Sequence, residues 1–211
     1  MHWYLWLTLF SLAVCLISCL YHFILLLRAG KPIDFSAPAG TTGNAIRYSF
    51  SGAMSPKKKE SAYLHLPTYT AGIFYHIGTF LSIFLFFLFL FSFYPTGIIK
   101  WLLGGVLAVS SFSGLAILIK RILGKQLRSL SNPDDFISNL LVTGFQVLTL
   151  LSLFLDNVRP LYYIGVSLLL LYLPLGKLKH TVYFFAARYQ LGYFYGWRGV
   201  WPPRKINNQS E

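Results

Sequence analysis

The sequence predicts an all-α integral membrane protein, a five-transmembrane-helix bundle with its N-terminus outside and its C-terminus in the cytoplasm. Three observations carry that prediction. Of the 211 residues, 55% are hydrophobic and only 11% are charged, and 6 Asp and Glu are too few to coat a soluble globule of this size. Apolar runs long enough to cross a hydrocarbon core of roughly 30 Å occur at Trp3–Leu27, Tyr69–Phe93, Gly97–Ile119, Phe136–Leu155 and Leu161–Leu178. The basic residues gather on one side of these runs.

Each run must be helical, because lipid offers no hydrogen-bond partner to an unpaired backbone. The first, 3–27, reads as a retained span. It lacks a basic leading segment, is too long for a signal-peptide core, and ends at Arg28-Ala29-Gly30 without a small-residue cleavage site. Trp3, Tyr4 and Trp6 make an aromatic belt at its outer end. Cys15 and Cys19 sit one turn apart within it and read as small apolar packing residues, with neither metal-ligand spacing nor a disulfide framework. The second span, 69–93, joins the third, 97–119, through the short connection Tyr94-Pro95-Thr96. The fourth, 136–155, joins the fifth through Asp156–Pro160. The apolar run Val182-Tyr183-Phe184-Phe185 predicts that the fifth helix continues to residue 185. There are no internal repeats, and residues 1–211 read as a single domain.

Orientation follows from the cations. Only Lys100 and Arg159, of 18 Lys and Arg, fall on the side of the short connections. The positive-inside rule puts the other side in the cytoplasm. A C-terminal reporter should accordingly be active in the cytoplasm; activity confined to the outside would refute this orientation. The net charge of +12 is thus a topology signal. Nucleic-acid binding is not expected, because no basic recognition helix or aromatic-basic sheet pattern accompanies the charge.

The cytoplasmic loop 28–68 is punctuated by Gly, Pro and Ser, which predicts little regular structure. It nevertheless carries Ile33, Phe35, Ile46, Tyr48, Phe50 and Met54. The tail 186–211 carries Tyr193, Phe194, Tyr195, Trp197 and Trp201. Aromatics with Arg are what interface cores favour, so both segments are expected to dock a partner subunit, with lipid headgroups as the alternative.

Five histidines remain: His2, His22, His65, His76 and His180. An ionisable residue inside a membrane is a functional candidate, and the ordinary alternative is a neutral imidazole bonded to a neighbouring helix. His76 lies about eight residues into the second span, roughly 12 Å deep at 1.5 Å per residue. His180 lies just beyond Leu178. Two histidines from different helices of a bundle suit six-coordinate haem iron. Gly78 beside His76, and Gly176 near His180, would leave room for a flat macrocycle. His22 lies at a depth close to that of His76. It could bond a quinone carbonyl, a haem propionate or a neighbouring helix. His65 lies at the membrane boundary, where Pro67 and Lys57–Lys59 place it, and could meet a partner or a quinone head. A second haem held by His22 and His65 is the remaining alternative.

The segments GIFYHIGTF (72–80) and LPLGKLKHTVYFFAARYQL (173–191) resemble the second and fifth helices of the respiratory nitrate reductase gamma subunit family of membrane cytochromes b. That family includes heterodisulfide-reductase-like and sulfite-reduction-associated membrane subunits. KRILGKQLRSLSNPDDFISNLLVTGFQVLTLL (120–151) resembles the intervening loop and fourth helix, with Asp135 as the acidic residue opening that helix. The likeness covers roughly residues 65 to 191. It implies that His76 and His180 are the axial ligands of one haem b. Members with two haems carry further histidines where this chain has Phe86 or Phe87, and Tyr162, so the resemblance implies one haem, the distal space being filled by phenylalanine. It also implies electron transfer between a quinone, menaquinone or ubiquinone, and a cytoplasmic iron–sulfur oxidoreductase subunit, in the plasma membrane of a bacterium or archaeon. On that reading the chain is not catalytic alone. A haem-free membrane anchor or assembly subunit of such a complex is the alternative function. A small transporter is disfavoured, because no inverted repeat appears and no charge lies mid-membrane.

Overall fold

The computed structural model describes residues 2–29, 35–58, 62 and 64–203. Lys31, Ile33, Lys59, Arg204 and Lys205, which the sequence assigns to the basic and docking segments, lie outside the described residues. Among the described residues the chain is helical throughout, with short 3-10 turns and no strand. Helix α1 runs Trp3–Arg28, α2 Thr42–Phe50, α3 Leu66–Leu90, α4 Gly97–Leu123, α5 Lys125–Ser129, α6 Pro133–Phe154, α7 Arg159–Tyr172 and α8 His180–Trp197. Helices α1, α3, α4 and α6 are each long and apolar enough to cross a membrane, and α7 with α8 form a broken fifth candidate. Ile17, Phe80, Phe112 and Leu161 are all more than half exposed on these helices, as a lipid-facing surface requires.

Two expectations from sequence are corrected. The helix expected over 161–185 is not continuous: α7 stops at Tyr172, and a new helix begins at His180. Pro174 explains the stop, since it has no N–H to give Leu170 and its ring clashes with that carbonyl. The chain turns instead through Leu175 N–H and Gly176 N–H, both donated to Tyr172 O at 3.0 Å. A Cβ at Gly176 would lie 2.5 Å from the Tyr172 ring, so only glycine fits the turn. With 14 residues, α7 is about 21 Å long, short of a full crossing.

The second correction concerns the loop 28–68, which holds the regular helix α2 where little structure was expected. Its apolar residues explain why: they have a helix to pack on, as described below.

The chain divides into two compact units, one holding Met1–Ser18 with His65–Lys179, the other Cys19–Leu64 with His180–Glu211. In the first, α3, α4, α6 and α7 enclose a core that includes Leu85, Phe89, Leu107, Phe145 and Tyr162. Thr8 of α1 closes on this core, donating to Tyr163 O at 3.1 Å. Helix α6 starts where it does because Asn132 and Asp135 form a reciprocal capping box with Pro133 in the first turn. Asp135 also accepts from Lys177 Nζ at 2.5 Å and lies 3.5 Å from Arg121, so the start of α6 is tied to the end of α4 and to the turn after α7. Beside it, Asp134 accepts from Tyr172 Oη and Ser138 Oγ.

The opposite ends of these helices hold Lys100 and Arg159 against rings. The Arg159 guanidinium sits 3.8 Å over Tyr94, and Lys100 Nζ 4.8 Å over Phe154. Each charge thereby gains a cation–π partner close to the apolar surface.

In the second unit, α2 lies against α8 at backbone distance. A Cβ at Gly192 would come within 2.5 Å of Ile46 Cα, and one at Gly196 within 2.6 Å of Ala45 Cβ. Ser49 Oγ donates to Arg188 O at 2.7 Å, and Trp197 Nε1 donates to Ser36 O at 2.8 Å. Tyr48 meets the Trp201 ring edge-on at 5.5 Å, and Phe50 meets Phe184 at 6.4 Å. Part of the apolar content of the loop and tail is thus packed within this unit, while Phe35 stays 93% exposed.

Candidate functional site

Helix α3 separates its residues sharply by face. Tyr75, Gly78, Thr79 and Ser82 turn toward α4 and α6, whereas His76 is exposed on the other side. The two faces follow from spacing: Gly78 is two residues, about 200°, from His76, and Gly72 is one turn away from it, about 40°.

The imidazole of His76 is held by its own helix. Its Nδ1 lies 2.7 Å from Gly72 O. A carbonyl can only accept, so Nδ1 is the donor in this bond; with the ring in its neutral form, the lone pair is on Nε2. That is the tautomer of a histidine ligating metal through Nε2, with its other nitrogen oriented by a carbonyl. The surface beside it is bare, because a Cβ at Gly72 would meet nothing within 4 Å. Ile73 and Phe80 continue the same exposed, apolar surface. The His76 imidazole thus lies oriented on an exposed, largely apolar face of α3.

Gly78 has a different occupation from the one expected of it. A Cβ there would lie 1.9 Å from Ser110 Oγ and 2.2 Å from Ser110 Cβ. It serves close approach of α3 to α4, and the glycine that opens space on the His76 side is Gly72. Gly176 likewise faces the Tyr172 ring and Asp134, so the room expected near His180 is closed from that residue.

His180 is exposed at the first residue of α8. It begins a new helix and does not end a continuing one. His22, half-buried on α1, stands edge-on to the Tyr183 ring at 6.3 Å, which brings it beside the first turn of α8. His65 is the exposed residue preceding α3, and its carbonyl accepts the Tyr69 N–H at 3.0 Å. His76 and His180 fall in different compact units, and so do His65 and His22.

Of the aromatic residues Phe86, Phe87 and Tyr162, two are packed in the core. Phe86 and Tyr162 are 4% and 0% exposed, while Phe87 faces outward. Tyr162 stacks on Phe145 at 6.3 Å and meets Phe89 edge-on at 5.6 Å. These rings fill the core at that level.

A polar constellation joins the other face of α3 to its neighbours. Gln146 of α6, fully buried, donates through Nε2 to Tyr75 O at 3.0 Å and to Thr79 Oγ1 at 2.8 Å, and its Oε1 accepts from Ser110 Oγ at 2.8 Å. Tyr75 Oη donates to Asn139 O at 3.1 Å and accepts from Thr143 Oγ1 at 3.2 Å. Three helices are thereby fixed around the turn of α3 that carries His76. The signal was present in the sequence: Asn139, Thr143 and Gln146 recur at helical spacing in an otherwise apolar run, a polar stripe that membrane helices turn inward.

Comparison of the chain with models of known protein families, with curated proteins and with solved structures finds no match.

Proposed function

We propose that this chain is a membrane haem b subunit of a respiratory oxidoreductase complex, passing electrons between a membrane quinone and a cytoplasmic iron–sulfur partner. The observation that carries the proposal is the His76 imidazole, its Nδ1 engaged by Gly72 O and its Nε2 presented on an apolar ledge. The pairing of His76 with His180 comes from the sequence resemblance. Bound haem b would supply one-electron transfer. The chain's own part is to provide the imidazoles, to orient His76 through the Gly72 carbonyl on a helix that the Gln146 network holds at Tyr75 and Thr79, and to keep water away with apolar helices. His22 and His65 are candidates for contact with the quinone. The orientation with N-terminus outside belongs to the same proposal and rests on the distribution of basic residues. Adding a reduced quinone analogue to the purified protein tests this: the b-type absorption band should reduce, and a band that only dithionite can reduce would remove the quinone from the account.

One observation favours the alternative of a haem-free anchor. The continuous fifth helix expected to hold His180 at its cytoplasmic end is broken by Pro174, and His180 opens a separate helix. An anchor purified with its partner complex would show no b-type band at all.

A further inference from the structure

Helix α8 is apolar almost all round, yet only one face is covered. Gly192 and Gly196 are closed by α2. Away from those glycines Phe184, Ala187, Leu191, Phe194 and Arg198 recur at alternating spacings of three and four residues and all are exposed, Phe184 at the edge where it also meets Phe50 of α2. Phe184, Leu191 and Phe194 are 38%, 40% and 45% exposed. The stripe runs about 21 Å at 1.5 Å per residue. A helix surrounded by water does not hold such a row of large apolar side chains uncovered.

What covers it is indicated by charge. By sequence this unit carries ten Lys and Arg against three acids, Asp34, Glu60 and Glu211. Two of the guanidinium groups are tied to the stripe itself. Arg188 lies 5.8 Å from the Phe184 ring centroid and Arg198 lies 3.7 Å from that of Phe194, while Arg198 also donates to Phe194 O at 3.3 Å. The cations are therefore carried at the edge of the apolar row, as side chains at a bilayer surface carry them. The second half of α1 belongs to the same unit and to an apolar span, so a bilayer is at hand. Apolar rings flanked by cations, in a unit of strong net positive charge, match an array of anionic phosphates above acyl chains.

We infer that α8 is an interfacial helix, its Phe184–Ala187–Leu191–Phe194 face bedded in the headgroup region of an anionic leaflet, with Arg188 and Arg198 on lipid phosphates. This does not depend on haem. It assigns to membrane lipid a face of the tail that composition alone would equally assign to a protein subunit.

The test uses the full chain with Cys15→Ala and Cys19→Ala, reconstituted in nanodiscs, carrying a spin label on Ala187→Cys. In discs of phosphatidylcholine with phosphatidylglycerol, molecular oxygen should reach the label more readily than a water-soluble nickel chelate. Adding Arg188→Gln with Arg198→Gln should shift the balance of lipid-buried and water-exposed label roughly thirtyfold toward water, at about 1 kcal/mol per cation near an anionic surface. In discs of phosphatidylcholine alone the same pair of substitutions should have little effect. A label equally open to the nickel chelate in both lipids overturns the inference. So does a label that becomes shielded only when a cytoplasmic protein subunit is added, which would make the stripe a protein-docking face.

Discussion

Gly78→Val should leave little folded protein in detergent, and Gly78→Ala should unfold at a clearly lower temperature than the parent chain. The added Cβ would stand 1.9 Å from Ser110 Oγ and 2.2 Å from Ser110 Cβ, and neither can retreat without moving helix α4. Overpacking of this kind costs about 1–3 kcal/mol. Displacing Ser110 from Gln146 adds about 1 kcal/mol for the lost bond. Against this, alanine gains at most about 1 kcal/mol over glycine in helix propensity. The clash therefore wins. Thermal unfolding followed by near-ultraviolet circular dichroism measures it, and the double variant Gly78→Ala with Ser110→Gly should recover much of the loss. Gly72→Ala is the control on the same helix: with nothing within 4 Å of the new Cβ, stability should hold or rise slightly. A Gly78→Ala protein as stable as Gly72→Ala would mean that α3 and α4 do not approach as described.

Replacing His76 or His180 by alanine should abolish the low-spin haem signal, because one imidazole cannot keep the iron six-coordinate without its opposite. His22→Ala should keep the signal, since a residue bonded to quinone or propionate tunes the site and does not supply the coordinate bond. Gly72→Leu should lower haem occupancy while leaving the helical core intact, because the new side chain would stand on the ledge beside His76. Low-temperature spectra of the variants separate the cases. Loss of haem in His22→Ala with retention in His180→Ala would show that the wrong pair of helices has been assigned.

The four long spans were legible in the sequence because hydrophobic length is a strong signal that tertiary context does not reverse. Their observed ends lie within about four residues of those expected, with helix ends shifted by local chemistry such as the capping box at Asn132. The fifth span was not legible as it stands. Val182–Phe185 continues the hydropathy past Pro174, and hydropathy does not register a proline's missing donor. Helix α2 was hidden for a related reason: punctuation by Gly and Pro masks a nine-residue helix whose stability comes from Gly192 and Gly196, about 150 residues away. Glycines were the least readable residues of all. Beside a histidine, Gly78 looks like room for a ligand, but its face of the helix belongs to Ser110, a partner that only the fold brings near.

A pyridine haemochrome assay on the purified chain, set against its protein concentration, tests the central claim most directly. One haem b per chain is predicted, from a single ligand pair and from the packed rings of Phe86 and Tyr162 where a second pair would stand. No haem from protein purified intact in its complex would contradict the proposed function, and two per chain would contradict the assignment of ligands.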